Sequence, residues 1–152
     1  MRFAGGWLFD RVTAGWEATV LTADPVDSRA LRILGAHGLA LECALASPVL
    51  RPRPRAIAVD AELYGSDVRV RRMVRNMLHR GPGELWLWGD LASAEPDGGA
   101  GSVRHRLSVA ARAFKAQALS AASAREDSMD TAELFRCAGP PRSEETPELV
   151  ST

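Results

Sequence analysis

Two short apolar runs, Ala56 to Ala61 (AIAVDA) and Glu84 to Trp88 (ELWLW), bracket a segment of helical period, and this arrangement constrains the fold more than any other feature of the chain. Runs this short and this apolar suit strands covered on both faces. Between them, from Val68 to Arg80, Val70, Met73, Val74, Met77 and Leu78 fall on one stripe, while Arg71, Arg72, Arg75 and His79 fall largely off it. Ser66 or Asp67 is placed to cap this helix, and Gly81-Pro82-Gly83 to break the chain after it.

The same alternation extends upstream. Phe3 to Ala14 predicts a short amphipathic helix ended by Gly15, and Glu17 to Ala23 predicts a strand closed by Asp24-Pro25. Arg29 to Ala36 predicts a second helix, with Gly35 or Gly38 ending it, and Leu39 to Ala44 a second strand. Three prolines among the arginines of residues 47 to 55 force an extended path there. The expected fold is therefore α/β, a small and mostly parallel sheet of about four strands flanked by helices.

Beyond Asp90 the composition changes. Residues 1–92 read as the α/β domain and 93–101 as a flexible, Gly-rich linker. Residues 102–123 then read as one long helix. Its apolar positions Val103, Leu107, Ala110, Phe114 and Ala118 keep one face over several turns, a ridge for association with a second copy or another protein. Residues 124–152, rich in acids and proline, read as a disordered acidic tail in which Thr131 to Cys137 can form one turn of helix on binding.

Composition narrows the function classes. The 152 residues carry 19 basic and 19 acidic side chains and are 46% hydrophobic, ordinary values for a globular chain. The charge is unevenly placed: residues 51–80 hold eight arginines against three acids, and residues 124–152 hold three arginines against seven. No stretch approaches a membrane span, the first residues do not read as a signal peptide, and two cysteines suit a reducing compartment; the expectation is a cytoplasmic protein without a membrane partner.

Three carboxylates, Asp24, Asp60 and Asp90, lie at or near the carboxyl ends of predicted strands, the edge where open parallel sheets bind ligands. Hard oxygen donors there suit Mg²⁺, the one cofactor the chain suggests; capping of turns and helices is the simpler account of them. Over about residues 17–90 this pattern resembles a response-regulator receiver domain, with Asp24 after the first strand, Asp60 after the third and Gly89 after the fourth. The resemblance implies a metal-assisted phosphoryl site. The chain departs from it where Pro25 follows Asp24, where the interval to Asp60 is short, and where no strand-borne lysine follows Asp90, so phosphoryl transfer to Asp60 is not expected.

Other constellations are weaker. Arg71, Arg72, Arg75 and Arg80 form a candidate basic patch, but aromatic residues are not interleaved with them and no nucleic-acid-binding module is recognisable, so nucleic acid is not the expected partner. The three histidines show no zinc spacing with Cys43 or Cys137, and Cys43 reads as a core thiol. Trp86 and Trp88 share a strand face and read as core. With no nucleophile and base to pair, the sequence favours a non-enzymatic protein-interaction or regulatory module using helix 102–123. The alternative is a ligand- or Mg-binding α/β domain, receiver-like or nucleotide-binding, using the strand-end acids.

Overall fold

The computed structural model describes residues 1–22, 28–46, 56–79, 83–89, 101–123 and 130–138. In chain order the elements are α1 (Gly5–Thr13), β1 (Thr19–Thr22), α2 (Ser28–Ile33), β2 (His37–Ala40), α3 (Leu41–Ala46), β3 (Ala56–Asp60), α4 (Ala61–Ser66), α5 (Val68–His79), β4 (Glu84–Trp88), β5 (Gly101–Arg106), α6 (Val109–Ala121) and β6 (Ala132–Ala138). They divide into two units. Unit 1 comprises Met1–Ala46 with His105–Glu133, and unit 2 comprises Ser47–Arg104 with Leu134–Thr152. Among the described residues no helix is long and apolar enough to cross a membrane.

The α/β class holds, but the single, mostly parallel sheet does not. The strands β1 and β2 form a two-stranded parallel sheet of their own, in register from Thr19 opposite His37 to Thr22 opposite Ala40. The other sheet has the order β3-β4-β6-β5 and is mixed. In it β3 and β4 run parallel, from Ala56 opposite Glu84 to Asp60 opposite Trp88, with α4 and α5 in the connection between them. β6 lies antiparallel on the other side of β4, Trp86 opposite Cys137. The predicted strand over 39–44 is also corrected, since the strand is His37–Ala40 and Leu41 opens α3.

The long C-terminal helix is shorter than expected. Gly101–Arg106 is strand β5, and the helix starts only at Val109, where Ser108 caps it by accepting a 2.9 Å hydrogen bond from the Ala111 N–H. Within the tail, Ala132–Ala138 is strand β6 rather than a turn of helix; residues 139–152 lie outside the described residues, as does most of the expected linker.

In unit 2 the amphipathic stripe behaves as its period demands: Val70 and Val74 of α5 are buried, as are Leu85, Trp86 and Leu87 of β4. Trp86 meets Phe135 of β6 edge to face, with ring centroids 5.5 Å apart.

Unit 1 is organised around a buried carboxylate. Glu133 accepts hydrogen bonds from the backbone N–H of Gly6 (2.9 Å) and of Trp7 (2.8 Å), in the first turn of α1. It also pairs with the Lys115 ammonium of α6 at 2.8 Å. The first N–H groups of a helix have no partner within it, so the carboxylate answers orphan donors and the positive end of the helix dipole together. α1 approaches closely because Gly6 has no side chain: a Cβ there would stand 2.3 Å from Leu107 Cδ2. The Arg11 guanidinium lies over two indoles, 5.4 Å from the Trp7 centroid and 4.8 Å from that of Trp16, which holds the chain after α1 against the helix.

Lys115→Met removes the ammonium paired with the buried Glu133, leaving the Met1 ammonium as the other cation acting on it, and is expected to cost about 3–5 kcal/mol. The check is the midpoint of urea unfolding at unchanged slope; a loss of about 0–1 kcal/mol, the value of an exposed ion pair, contradicts this account.

Candidate functional site

The five residues predicted to form one helical ridge do not lie together on it. Val103 is half-buried in β5, Leu107 is buried against α1 before the helix begins, and Ala118 is fully buried. Only Ala110 and Phe114 face outward on α6. The helix turns Ala111, Lys115, Ala118 and Leu119 inward, positions three and four apart, because Lys115 must reach Glu133. The opposite side therefore carries Val109, Ala110, Ala113 and Phe114, with Val109 75% and Phe114 44% exposed. Phe114 stacks on Phe9 of α1, with centroids 4.5 Å apart and planes inclined by 17°. The outer surface of α6 thus carries Val109, two alanines and the Phe9–Phe114 pair, beside the exposed polar side chains of Arg112, Gln117 and Ser120. Val109 and Ala113 escape the sequence reading because the predicted ridge takes its phase from Val103 and Leu107, which precede the helix, and Phe9 because it stands on α1.

The start of α6 is fixed from α1. Asp10 accepts from the Ser108 N–H at 3.3 Å and meets His105 Nε2 of β5 at 2.9 Å. Neither side chain lies far from solvent, 13% exposed for His105 and 20% for Asp10. No spacing in the sequence announces this pair, which is 95 residues apart in the chain.

Of the three carboxylates expected at one sheet edge, Asp60 alone lies among the described residues. β1, which precedes Asp24, belongs to a different sheet from β3 and β4, so the receiver-like order of strands is absent. Asp24 and Asp90 lie outside the described residues. Asp60 ends β3 and caps α4, its Oδ1 accepting from the N–H groups of Glu62 (2.9 Å) and Leu63 (3.1 Å). Its Oδ2 lies against Gly89, whose φ of +90° and lack of Cβ admit the carboxylate; a Cβ there would stand 2.9 Å from that oxygen. Among the described residues no three His, Cys, Asp or Glu side chains are grouped to hold a metal ion.

The basic residues of α5 are partly engaged in structure. Arg71 donates to the carbonyl of Tyr64 at 3.2 Å and to that of Gly65, carbonyls in the last turn of α4. Arg72 and Arg75 are exposed, and Arg80 lies outside the described residues. Neighbouring Arg69 binds Asp67, and hydrogen bonds from its side chain and its backbone N–H hold the Asp67 carboxyl below the usual carboxylate range. Cys43, expected in the core, is exposed on α3. Comparison with family models, with curated proteins and with solved structures finds no match, so the fold and these contacts are the ground for any functional reading.

Asp60→Ala removes a helix cap and is expected to lower stability by about 0.5–2 kcal/mol in thermal or urea unfolding, whereas Asp60→Asn keeps an oxygen acceptor and loses less. Equal losses for the two variants contradict the capping role. The Asp67 carboxylate, lowered in the folded chain, contributes stability above its ordinary value that disappears as pH falls through the depressed one. Carboxyl NMR titration of Arg69→Ala should raise Asp67 part of the way toward the ordinary carboxylate range, because the side-chain hydrogen bond is lost while the backbone N–H groups of residues 69 and 70 still donate; an unchanged midpoint contradicts the assignment.

Proposed function

We propose that this chain is a non-enzymatic protein-interaction or regulatory module, and that the outer strip of α6 packs on the same strip of a second copy. The observation that carries this reading is the exposure of Val109 and Phe114 on a helix whose other side is fully committed to the core. Apolar side chains grouped this way on a rigid element mark association surfaces. Ala110 and Ala113 leave room for a partner backbone, and the Phe9–Phe114 stack supplies a flat aromatic contact. The only charged side chain exposed along α6 is Arg112, so the strip associates through shape and apolar area rather than through ion pairs. A two-fold axis makes such a surface complementary to itself.

Light scattering behind size exclusion tests the reading. Wild type is expected to run at a multiple of the single-chain mass and Phe114→Glu at half the wild-type mass, with the far-ultraviolet dichroism of the two unchanged because residue 114 is exposed. Equal masses for wild type and Phe114→Glu overturn it.

A further inference from the structure

The two-stranded sheet of unit 1 leaves the outer edge of β2 unpaired among the described residues, and that edge has the chemistry of a pairing strand. The His37 N–H bonds the Ala18 carbonyl at 2.9 Å, so His37 and Leu39 turn their backbone groups toward β1. By strand alternation Gly38 and Ala40 turn theirs away from it. All four residues of β2 are exposed. An edge in this state is a template for another strand, and edges meant to stay single are guarded by charges, proline or bulges. β5, at the border of the other sheet, has such a guard in the exposed Arg104 and Arg106. His37-Gly38-Leu39-Ala40 has no lysine, arginine, acid, proline or bulge, and its four-residue length is its one restraint.

Side-chain placement identifies the occupant. A Cβ on Gly38 would point at Leu31 Cδ1, 3.0 Å away, so that side of β2 faces α2. Leu39 therefore stands on the other side, beside Leu21 with which it is in register, and is 40% exposed. A second β2 related by a two-fold axis runs antiparallel to the first. With the axis at Leu39, the outward groups of Gly38 face those of Ala40 in the other copy, and the reverse, as hydrogen-bonded pairs. Leu39 then meets its own counterpart at the close, non-bonded position, which sets Leu21, Leu39, Leu39 and Leu21 in one row across four strands. Backbone polarity admits this register along with axes at Gly38 or Ala40, and the leucine positions select Leu39 among them.

We infer that two copies of this chain join at β2 into a continuous four-stranded sheet, β1-β2-β2-β1, centred on Leu39. This contact is separate from the α6 strip and does not rest on it.

Charge exchange at Leu39 tests the register. Leu39→Lys and Leu39→Glu, each alone, place like charges directly opposite across the axis and are expected to halve the mass seen by light scattering. An equimolar mixture of the two variants is expected to regain the wild-type mass, because Lys then faces Glu. The rescue also shows that both variants fold. A mass unchanged by either substitution, a wild-type chain of single-chain mass at every concentration, or a mixture that stays at the mass of its components overturns the inference. Phe114→Glu reads the other surface: a response there without one at Leu39 supports the α6 contact alone, and the converse supports the β2 contact alone.

Discussion

A carboxylate buried with three donors decides the form of unit 1. Glu133 has almost no access to solvent, so the Lys115 ammonium and the N–H groups of Gly6 and Trp7 must supply the hydrogen bonds that water would otherwise give it. Those donors belong to α6 and α1, so one residue fixes the start of one helix and the rotation of another. The surface of α6 follows from that rotation. With Lys115 inward, Ala111, Ala118 and Leu119 turn inward with it, and Val109, Ala113 and Phe114 are left outside.

The parallel pair β1–β2 adds a second consequence of the same unit. Parallel strands are ordinarily buried on both faces, and an isolated pair is marginal in water. Here β2 is exposed along its whole length, yet its sequence lacks any residue that discourages further pairing. Association that extends the sheet supplies partners for the outward backbone groups of Gly38 and Ala40 and covers Leu39 in one step. Both proposed contacts arise from groups the monomer leaves incompletely covered, and neither requires chemistry.

Much of the fold was legible, and the misses have physical causes. Strands β3 and β4 and helix α5 followed from apolar runs and a clean 3.6-residue stripe, and the end of α1 from Gly15, which takes a φ of +89°. The segment 101–107 misled because Val103 and Leu107 are four apart, a spacing that fits a helix and a strand alike. The deciding signal was the alternation of Ser102, Arg104 and Arg106, exposed, with Val103, His105 and Leu107, less exposed. β6 was not legible by polarity at all: it buries Glu133 and exposes Leu134, an inversion that makes sense only once Lys115 and α1 are in place. The candidate site suffered in proportion. Phe114 and Ala110 survived as surface residues, Leu107 and Ala118 proved to be core, and the edge at Leu39 was hidden inside a strand predicted two residues late.

Amide hydrogen exchange along β2 tests most directly the claim that this chain builds assemblies from what its monomer leaves uncovered. The amides of His37 and Leu39 point at β1, and those of Gly38 and Ala40 point away. The account predicts that at high chain concentration all four exchange slowly, and that dilution accelerates Gly38 and Ala40 while His37 and Leu39 stay protected. Rapid exchange of Gly38 and Ala40 at every concentration would contradict it.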